Sequence, residues 1–586
     1  MRLLDKRIGS DSVRAYCPVS LERGPLAALP RTADMMMRRL FAAATLTLAL
    51  ATPFRSAIAQ RFPTGDPVLR RIWAIGMDSS RTMELSAALL DSIGPRLAGS
   101  PGQRRAQDWL VQTYASWGID AKHERYGTWR GWRRGHSHVD LVSPRVRSLE
   151  ATMVGYSPGT GGRDVTASTI VLPRFPDSSA FVRWLPQASG KLVLVSAPQP
   201  TCRPTADWTE FATPASRARM DSLRADVTRE WSGPNVRGTG YSVALAGGGL
   251  ARRLDEAGVA GVITSRPTNA VGTRSVFETY NTRSPTLSVS CEDYGLVFRL
   301  TERGSNPRIR MNLDAESLGE QPMSNTIATV RGREKPDEFV MLSAHFDSWD
   351  GASGATDNGT GSVTMLEAMR ILRQVYPNPK RTIVVGHWTG EENGLIGSKA
   401  FREDHPEIVK GLHALFNQDN GTGRVVRMDA SGLVDGDVHL RSYLASLPME
   451  FQSQIQYGGV GAPSGGGSDN ASFACAGLPG FSLGSLGWNY GNETWHTERD
   501  TYDKIVFDDL KANAVLTAML VYLASEDSTM IGRERVDIVK AVAEQRARFA
   551  AQNPNASATQ GPPASQAPAA WPECGVAPRK TAPRLR

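Results

Sequence analysis

Histidine and acidic side chains able to bind metal ions recur at defined points in the second half of the chain. His345 ends an apolar run, and Asp357 stands in a glycine-flanked turn just before a helical pattern. Glu391, Glu392 and Asp419 follow two further apolar runs, and His496 occurs later in the chain. The full set comprises His345, Asp357, Glu391, Glu392, Asp419 and His496. Nitrogen and oxygen donors of this kind hold zinc in hydrolases.

Each member of the set also has an ordinary structural explanation. An Asp in a glycine-rich turn is usually a helix cap or a turn former, and adjacent glutamates usually form a solvated surface. Histidines outside the set are interpreted as structural: His387, His405, His413 and His439.

The ligand count makes the set more specific than its members. Two zinc ions take four ligands each, and no Cys stands nearby to supply sulfur. Five protein ligands, one of them bridging, give each ion three, and a shared water supplies the fourth. Two histidines and three carboxylates satisfy this scheme. One of the adjacent glutamates, Glu391 or Glu392, then remains free as a general base, because a carboxylate committed to metal cannot take a proton from water.

Alternating strands and helices must position these residues. From Asn325 onward the pattern is of α/β type, with a helix predicted over Ser362–Val375. Strands are predicted over Thr326–Val330, Phe339–Ala344, Arg381–Trp388 and Leu412–Phe416. Because ligands bind beyond the carboxyl ends of strands in open α/β sheets, we expect the polar groups that follow these strands to converge.

The first half of the chain divides in two. Helical patterns cover Met83–Ile93 and Gln103–Trp117, separated by the Gly- and Pro-rich loop Gly94–Gly102. From about Gly155 to Leu313, short β-rich runs alternate with long polar stretches, and we interpret this region as an inserted domain. Within it, Arg203–Val236 has no regular pattern.

The candidate site residues and the segments around them resemble those of a known protein family. His345-x-Asp347, Gly354-Ala355-x-Asp357-x-Gly359, Glu391-Glu392, Asp419 and His496 resemble the M28 metallopeptidases in order and spacing. The segment Ile93–Gly102 is similar to that family's N-terminal helix and loop, and the insert resembles a protease-associated domain. The similarity covers roughly residues 65–530.

The resemblance implies two Zn²⁺ per chain and a role for each residue. Glu391 is the general base, and Asp347 orients His345. Five residues bind the metal ions, with Asp357 bridging both, His345 and Asp419 completing one site, and Glu392 and His496 completing the other.

Two positions depart from the family pattern. Asn358 stands where many members carry a second Asp, and Asn470 replaces the His of a Ser-Asp-His segment common in aminopeptidase members. We expect both near the substrate pocket. Tyr490 and Tyr457 are alternative candidates for stabilising the oxyanion.

The resulting fold prediction is an α/β zinc-peptidase domain with a mixed central β-sheet flanked by helices, interrupted by a β-rich protease-associated insert. The predicted divisions are a leader (1–59), the first part of the peptidase domain (62–150), the insert (151–318), the metallopeptidase domain (319–530), a C-terminal helix (531–551) and a disordered tail (552–586).

The leader has the form of a secretory signal. Arg38 and Arg39 precede the apolar run Leu40–Ala51, and Ala57–Ala59 is a small-x-small cleavage motif. The cluster Met35–Met37 is a candidate true start. Residues 1–59 carry nine Lys/Arg and four Asp/Glu, so their removal lowers the net charge from +8 to +3 and no nucleic-acid partner is expected.

Cysteine usage fits an oxidising compartment. Four cysteines follow the leader, with no CxxC motif among them, and Cys202–Cys291 is a candidate bridge. No apolar stretch reaches the ~20 residues of a membrane span.

The sequence therefore predicts a secreted or periplasmic two-zinc exopeptidase acting on peptide substrates, with an aminopeptidase favoured. A carboxypeptidase or dipeptidase of the same family is the first alternative. The others are a non-catalytic receptor-like binding protein and a single-zinc acyltransferase resembling glutaminyl cyclases.

Overall fold

The computed structural model describes residues 62–231, 249–540, 543, 547 and 570–580. The predicted signal sequence, the candidate start at Met35–Met37, and parts of the predicted C-terminal helix and tail lie outside the described residues. The described residues fall in one compact unit.

One mixed sheet of twelve strands organises the chain. Its strands are β1 (Asp120–Ser143), β2 (Arg147–Ser148), β3 (Ala151–Met153), β4 (Val165–Val171), β5 (Leu192–Leu194), β6 (Gly261–Thr264), β7 (Thr286–Val289), β8 (Arg308–Val330), β9 (Lys335–His345), β10 (Arg381–Trp388), β11 (Leu412–Asn417) and β14 (Gly480–Ser482). A second, three-stranded sheet contains β12 (Val425–Met428), β13 (Gln456–Tyr457) and β15 (Gly484–Ser485).

Helices flank these strands. They are α1 (Pro67–Asp78), α2 (Thr82–Ser86), α3 (Pro101–Ser116), α4 (Ser178–Ala188), α5 (Thr205–Phe211), α6 (Pro214–Trp231), α7 (Gly249–Glu256), α8 (Cys291–Glu302), α9 (Thr360–Val375), α10 (Ile396–Asp404), α11 (Pro406–Gly411), α12 (Val434–Ser446), α13 (Met449–Gln454), α14 (Ala471–Ala474), α15 (Tyr490–Glu493) and α16 (Phe507–Glu526). Short helical turns of other types cover Ala87–Ile93, Ala355–Gly359 and Tyr502–Lys504.

The predicted α/β core is confirmed. Strands β14, β11, β9 and β10 run parallel, and β8 pairs antiparallel with β10. Strand β10 coincides with the predicted span, and all eight of its residues are buried. The central residues Ile383–Val385 are apolar, as expected for a strand buried on both faces, and this run is why the segment could be predicted from sequence.

Helix α9 begins two residues before its predicted start and ends where predicted. Its apolar positions Val363, Leu366, Met369 and Leu372 join the main core, and α16 packs along it. Because α9 follows the turn that carries Asp357, its burial holds that turn against the sheet.

Two unusually long strands carry the sheet into the region predicted as an insert. Strands β1 and β8 pair antiparallel along nearly their whole length, and β4 then pairs with β8. Beyond β4 follow β5, β6, β7 and β3. The predicted insert therefore extends the peptidase sheet.

The segment from Arg203 to Trp231 contains α5 and α6, which the sequence analysis could not place. The predicted Cys202–Cys291 bridge is present. It ties this helical segment to the start of α8.

The prediction of disorder for 552–586 is wrong for residues 570–580. Cys574 forms a disulfide with Cys475. The indole of Trp571 donates to the carbonyl of Ala474 over 3.1 Å, and Arg579 pairs with Glu403 at 2.9 Å. Composition rich in Ala and Pro favoured disorder, but a covalent link and an ion pair order this stretch. Within the described part of the chain, the helices are too short or too polar to span a membrane.

Candidate active site

The predicted metal ligands converge at one edge of the sheet. His345 is the last residue of β9, and Asp419 follows β11 by two positions. Glu391 and Glu392 come shortly after β10. These three strands are parallel neighbours, so their carboxyl ends meet at the same edge.

The last two ligands reach the site from elsewhere. Asp357 lies in the helical turn that precedes α9, and the peptide bond after it is cis. His496 follows α15 and has the left-handed backbone conformation, with φ +54°.

Asp357 stands between the two histidines. Its Oδ1 lies 3.3 Å from Nε2 of His345, and its Oδ2 lies 3.3 Å from Nε2 of His496. Asp419 Oδ1 is 3.2 Å from Nε2 of His345, while Glu392 Oε2 is 2.9 Å from Nε2 of His496. The five side chains thus form two three-residue clusters that share Asp357, each with its ligand atoms within 4.8 Å of one another.

The donor set fits a pair of divalent metal ions. Both histidines and the shared carboxylate are largely buried, and Asp357 Oδ2 and Glu392 Oε1 find no hydrogen-bond partner among the described residues. Buried carboxylates without partners are costly, so the clusters need positive charge. Two imidazoles and three carboxylates are nitrogen and oxygen donors suited to zinc.

The electrostatics of the protein side chains alone show the same need for cations. Burial lowers the pKa of His345, but the carboxylates of Asp419 and Glu391 outweigh it and raise the pKa well above its ordinary value. Burial also opposes protonation of His496, yet Glu392 and Asp357 raise its pKa to about 10. Protons on the histidines supply the positive charge that metal ions would otherwise bring.

Asp347 connects a ligand to the candidate base. Nδ1 of His345 lies 3.0 Å from the backbone carbonyl of Asp347 and 3.7 Å from its carboxylate. The same carboxylate accepts the backbone N–H of Glu391 over 3.2 Å. Of the two contacts that Asp347 makes with His345, the shorter one therefore involves the backbone carbonyl of Asp347 and not its side chain.

Glu391 faces a cavity of about 390 Å³ beside the ligands. Burial raises the pKa of its carboxyl group well above the usual value, and the nearby Asp419 and Glu392 raise it further. The cavity is lined by Asp357, Glu391, Glu392, Gly394, Leu395, Asp419, Gly467, Tyr490, Trp495 and His496.

Aromatic rings surround His496. Trp495 stacks on its imidazole with centroids 4.0 Å apart, and Phe277 meets it edge-on at 4.9 Å. Phe277 belongs to the predicted insert. The backbone N–H of Val276 donates to the carbonyl of His496 over 2.7 Å, so the insert contacts the ligand directly.

Sequence reasoning missed two residues that hold the site together. Asp500 accepts the backbone N–H groups of Thr356 and Asp357 over 2.7 and 3.0 Å. Arg96 is fully buried and donates to the carbonyls of Phe346 and Gly354 over 2.7 and 2.9 Å. The sequence shows that Arg96 lies in a Gly- and Pro-rich loop, but the two carbonyl groups that it contacts lie about 250 positions away in the chain.

The residues that depart from the family pattern do not line this cavity. Asn358 is buried, and its side chain donates to the carbonyl of Gln418 over 2.8 Å. Asn470 is also buried, at the start of α14. Of the two candidate tyrosines, Tyr490 lines the cavity, whereas the hydroxyl of Tyr457 lies against the carbonyl of Asp437.

His413, His439 and Asp527 form a third cluster of possible metal ligands, but they belong to a hydrogen-bond network. Nδ1 of His413 accepts the backbone N–H of Ile531, and its Nε2 lies 2.9 Å from the hydroxyl of Tyr443. That hydroxyl donates to Asp527, which also bonds His439. Because both nitrogens of His413 have hydrogen-bond partners, this cluster is a closed structural network.

Comparisons with known proteins agree with this geometry. The model of Peptidase family M28 matches residues 325–521, which include all five candidate ligands. Carboxypeptidase Q of Bos taurus is 25% identical over 459 residues, covering 78% of this chain and 88% of the relative. Leucine aminopeptidase 1 of Leptosphaeria maculans is 32% identical over 219 residues, covering 34% of this chain and 55% of the relative.

Among solved structures, a Peptidase M28 precursor from Shewanella amazonensis SB2B superposes with a TM-score of 0.57 at 25% identity. The superposition covers 79% of this chain and 97% of that chain. The mixed sheet, the order of the site residues and these matches agree with one another. Residues 325–521 therefore match peptidase family M28, and the protein is an enzyme, a hydrolase.

Proposed function

We propose that the protein is a two-zinc exopeptidase that removes the N-terminal residue of peptides. The observation that carries the proposal is the position of Asp357, whose two carboxylate oxygens face His345 and His496 at 3.3 Å each. His345 and Asp419 complete one metal site, and Glu392 and His496 complete the other.

Glu391 serves as the general base in this proposal. When bound, two zinc ions supply an activated water and polarise the scissile carbonyl. Glu391 lines the cavity and is absent from both ligand clusters, so its carboxylate is free to take a proton and deliver it to the leaving amine. The hydrogen bond from the backbone N–H of Glu391 to the carboxylate of Asp347 fixes the position of the base relative to His345.

Tyr490 is the better placed of the two candidate oxyanion donors. Burial, with the carboxylates of Asp357 and Asp419, raises the pKa of its hydroxyl well above the usual value. The hydroxyl therefore keeps its proton at neutral pH and can donate a hydrogen bond into the cavity.

The residues that line the cavity support aminopeptidase polarity. Four of its lining residues are acidic: Asp357, Glu391, Glu392 and Asp419. Within the described part of the chain, no Lys or Arg lines it. Two bound Zn²⁺ ions would offset these four carboxylates, so the net charge of the loaded cavity does not select a substrate terminus. The lack of a lining cation disfavours a substrate that is held by its free carboxylate.

A carboxypeptidase or dipeptidase is the second candidate. It is favoured by the similarity to carboxypeptidase Q along most of both chains. This alternative keeps the metal ligands and Glu391 in the same roles and changes only which substrate terminus is held.

The domain division and the location are part of the proposal. We assign 62–150 and 319–530 to the peptidase domain and 151–318 to a protease-associated insert that shapes access to the cavity. Two disulfides, Cys202–Cys291 and Cys475–Cys574, favour an oxidising compartment and hence export by the leader 1–59.

Turnover of paired substrates tests the proposal. One set is aminoacyl-nitroanilides and the other is N-blocked peptides with free C-termini, each with and without a chelator. Glu391→Gln is expected to lower kcat about 10²–10⁴-fold while retaining about two zinc ions per chain. Glu320→Gln, an exposed glutamate of β8, is the matched control.

Cleavage of the nitroanilides alone supports the aminopeptidase. Cleavage of the blocked peptides reverses the polarity but keeps the mechanism. A purified protein that binds no zinc and cleaves neither set contradicts the proposal.

A further inference from the structure

A second cavity, of about 270 Å³, adjoins the one beside the metal ligands. Its walls come mainly from the segments 487–494 and 503–506. Among the described residues that line it, none is a candidate ligand, and Glu391 is absent as well. Tyr490 is the residue that the linings of both cavities share. The two cavities therefore meet at one side chain, and the second is separate from the metal clusters.

Hydrogen bonds hold the walls of the second cavity in place. The hydroxyl of Thr422 accepts the backbone N–H of Val506 over 2.8 Å. The hydroxyls of Thr356 and Thr494 lie 2.8 Å apart. All four residues line the cavity. The cavity is therefore formed by the folded chain before any ligand binds, as is usual for small-molecule sites.

Trp488 gives this cavity an exposed aromatic wall. The residue is 57% exposed, and its backbone is in the left-handed conformation, with φ +38°. That conformation costs free energy for a bulky side chain, and such strain is concentrated at functional sites. The indole N–H donates to Asp509 over 3.0 Å, which orients the ring. The fold thus keeps a large apolar ring at the cavity, where Ile505 adds further apolar surface.

Two side chains of opposite charge also line the cavity, Lys504 and Glu493. Nζ of Lys504 lies 3.8 Å from the carboxylate of Asp503, too far for a hydrogen bond, and donates none to the other described residues. The carboxylate of Glu493 accepts the side-chain amide of Asn489 over 2.7 Å and has no cationic partner within the described part of the chain. Both groups are therefore available to a ligand that carries one negative and one positive charge.

We propose that this cavity binds a free α-amino acid in its zwitterionic form. Lys504 binds the α-carboxylate and Glu493 binds the α-ammonium group, each through charge-assisted hydrogen bonds. The side chain of the amino acid packs against Trp488 and Ile505. The volume of about 270 Å³ is smaller than the roughly 300–1,000 Å³ of pockets that hold drug-sized ligands. A single amino acid therefore fits better than a longer peptide.

The inference rests on the proposed function only for the source of the ligand, because an exopeptidase releases one free amino acid at each turnover. An amino acid bound here contacts Tyr490, the candidate oxyanion donor. It also lies beside Thr356, which directly precedes Asp357 in the chain. A product of the reaction thus has a binding site next to the catalytic groups but outside the metal clusters.

Calorimetric titration of the zinc-loaded full chain tests this site. Leucine hydroxamate, whose hydroxamate group chelates metal ions, is added first to fill the cavity beside the metal ligands. L-Leucine is then expected to bind in an equimolar ratio to the chain. Leucinamide, which lacks the carboxylate, and isocaproate, which lacks the amine, should each bind about tenfold or more weakly, because each loses one charge-assisted contact.

Two substitutions assign the charged contacts. Lys504→Gln is expected to weaken the binding of leucine about tenfold and to leave that of leucinamide unchanged, because leucinamide offers no carboxylate. Glu493→Gln is expected to weaken leucine by a similar factor and to leave isocaproate unchanged. A variant that fails to fold loses every ligand, so this pattern separates recognition from structure. The matched control is Lys122→Gln, at a residue of β1 whose side chain is 66% exposed and lies outside the cavity lining.

The outcomes separate this site from the proposed function. If leucine does not bind once the hydroxamate is present, or binds equally well to Lys504→Gln and the wild type, the amino-acid site is overturned. Turnover of leucine nitroanilide then still decides the proposed function by itself. A wild type that binds leucine with the expected pattern but cleaves neither substrate set supports the site and overturns the proposed function.

Discussion

The carboxylate of Asp500 accepts the backbone N–H of Asp357 over 3.0 Å, although 143 positions separate the two residues. It also accepts the N–H and the hydroxyl of Thr356. A single buried carboxylate therefore holds the turn that presents Asp357, the proposed shared ligand, to both candidate metal clusters.

Asp500→Ala is expected to weaken zinc binding about 10–100-fold, because the turn loses the partner that orients Asp357. It also leaves two buried amides unpaired, so the free energy of unfolding should fall by about 1–3 kcal/mol. Zinc titration and urea unfolding measure the two effects. Asp503→Ala, whose side chain is 74% exposed, is the control. Equal zinc affinity in Asp500→Ala and the wild type would contradict the assignment.

Replacing Asp357, the proposed shared ligand, should affect zinc occupancy differently from replacing His496, which belongs to one cluster. Asp357→Asn is expected to lower zinc occupancy at both clusters, because its two oxygens face different histidines. His496→Ala is expected to lose about one zinc ion and keep the other at His345 and Asp419. Metal analysis after dialysis distinguishes the two outcomes, with His405→Ala as the control. Loss of the same number of ions from both variants would show that Asp357 does not bridge.

The disulfide Cys475–Cys574 should contribute measurably to stability. It closes a loop of 99 positions and holds residues 570–580 against α10 and α14. Cys574→Ser is expected to lower the free energy of unfolding by about 2–5 kcal/mol. Thermal unfolding under non-reducing conditions measures the change, with a Cys475→Ser/Cys574→Ser double variant to exclude effects of a free thiol. An unchanged Tm would mean that this segment adds nothing to the fold.

The pH dependence of the free energy of unfolding should reveal the lowered pKa of His387. Burial lowers its pKa to about 3, and its Nε2 lies 2.8 Å from the hydroxyl of Tyr114. The unfolded chain takes up a proton below about pH 6.5 and the folded chain does not. The stability advantage of the wild type over His387→Gln should therefore shrink by about 1.4 kcal/mol per pH unit below that value.

His405 provides a control, because its contribution to stability should change with pH in the opposite direction. Its hydrogen bond to Glu124 raises its pKa, so its contribution is present below about pH 6.5 and is lost as pH rises through the folded-state pKa. Urea unfolding of His387→Gln and His405→Gln at several pH values should give differences from the wild type with opposite slopes. Parallel slopes would contradict the protonation states assigned to both residues.

The sequence was most informative where local pattern and burial coincide. Strand β10 was predicted at its observed bounds because its central residues Ile383–Val385 are apolar, as expected of a strand buried on both faces. Most of the candidate ligands were recognised because they follow an apolar strand or lie in a glycine-flanked turn, whereas His496 lies in a segment with no such pattern. Their order and spacing then carried the family resemblance.

Other features could not be read from sequence because they depend on contacts between distant segments. Asp500 and Arg96 act through backbone amides and carbonyls far along the chain, and such contacts leave no spacing pattern. Residues 570–580 have the composition of a flexible tail, yet the bond between Cys475 and Cys574 orders them. Pairing of cysteines depends on their proximity in the fold.

The amino-acid sequence by itself determined the α/β class, the donor types of the candidate metal site and the resemblance to the M28 metallopeptidases. These follow from residue type and short-range periodicity, which need no knowledge of the fold. Only the tertiary structure decided that Asp357 lies between His345 and His496 and that the predicted insert continues the peptidase sheet. Those relationships arise when the pairing of β1 with β8 and the packing of α9 bring distant segments together.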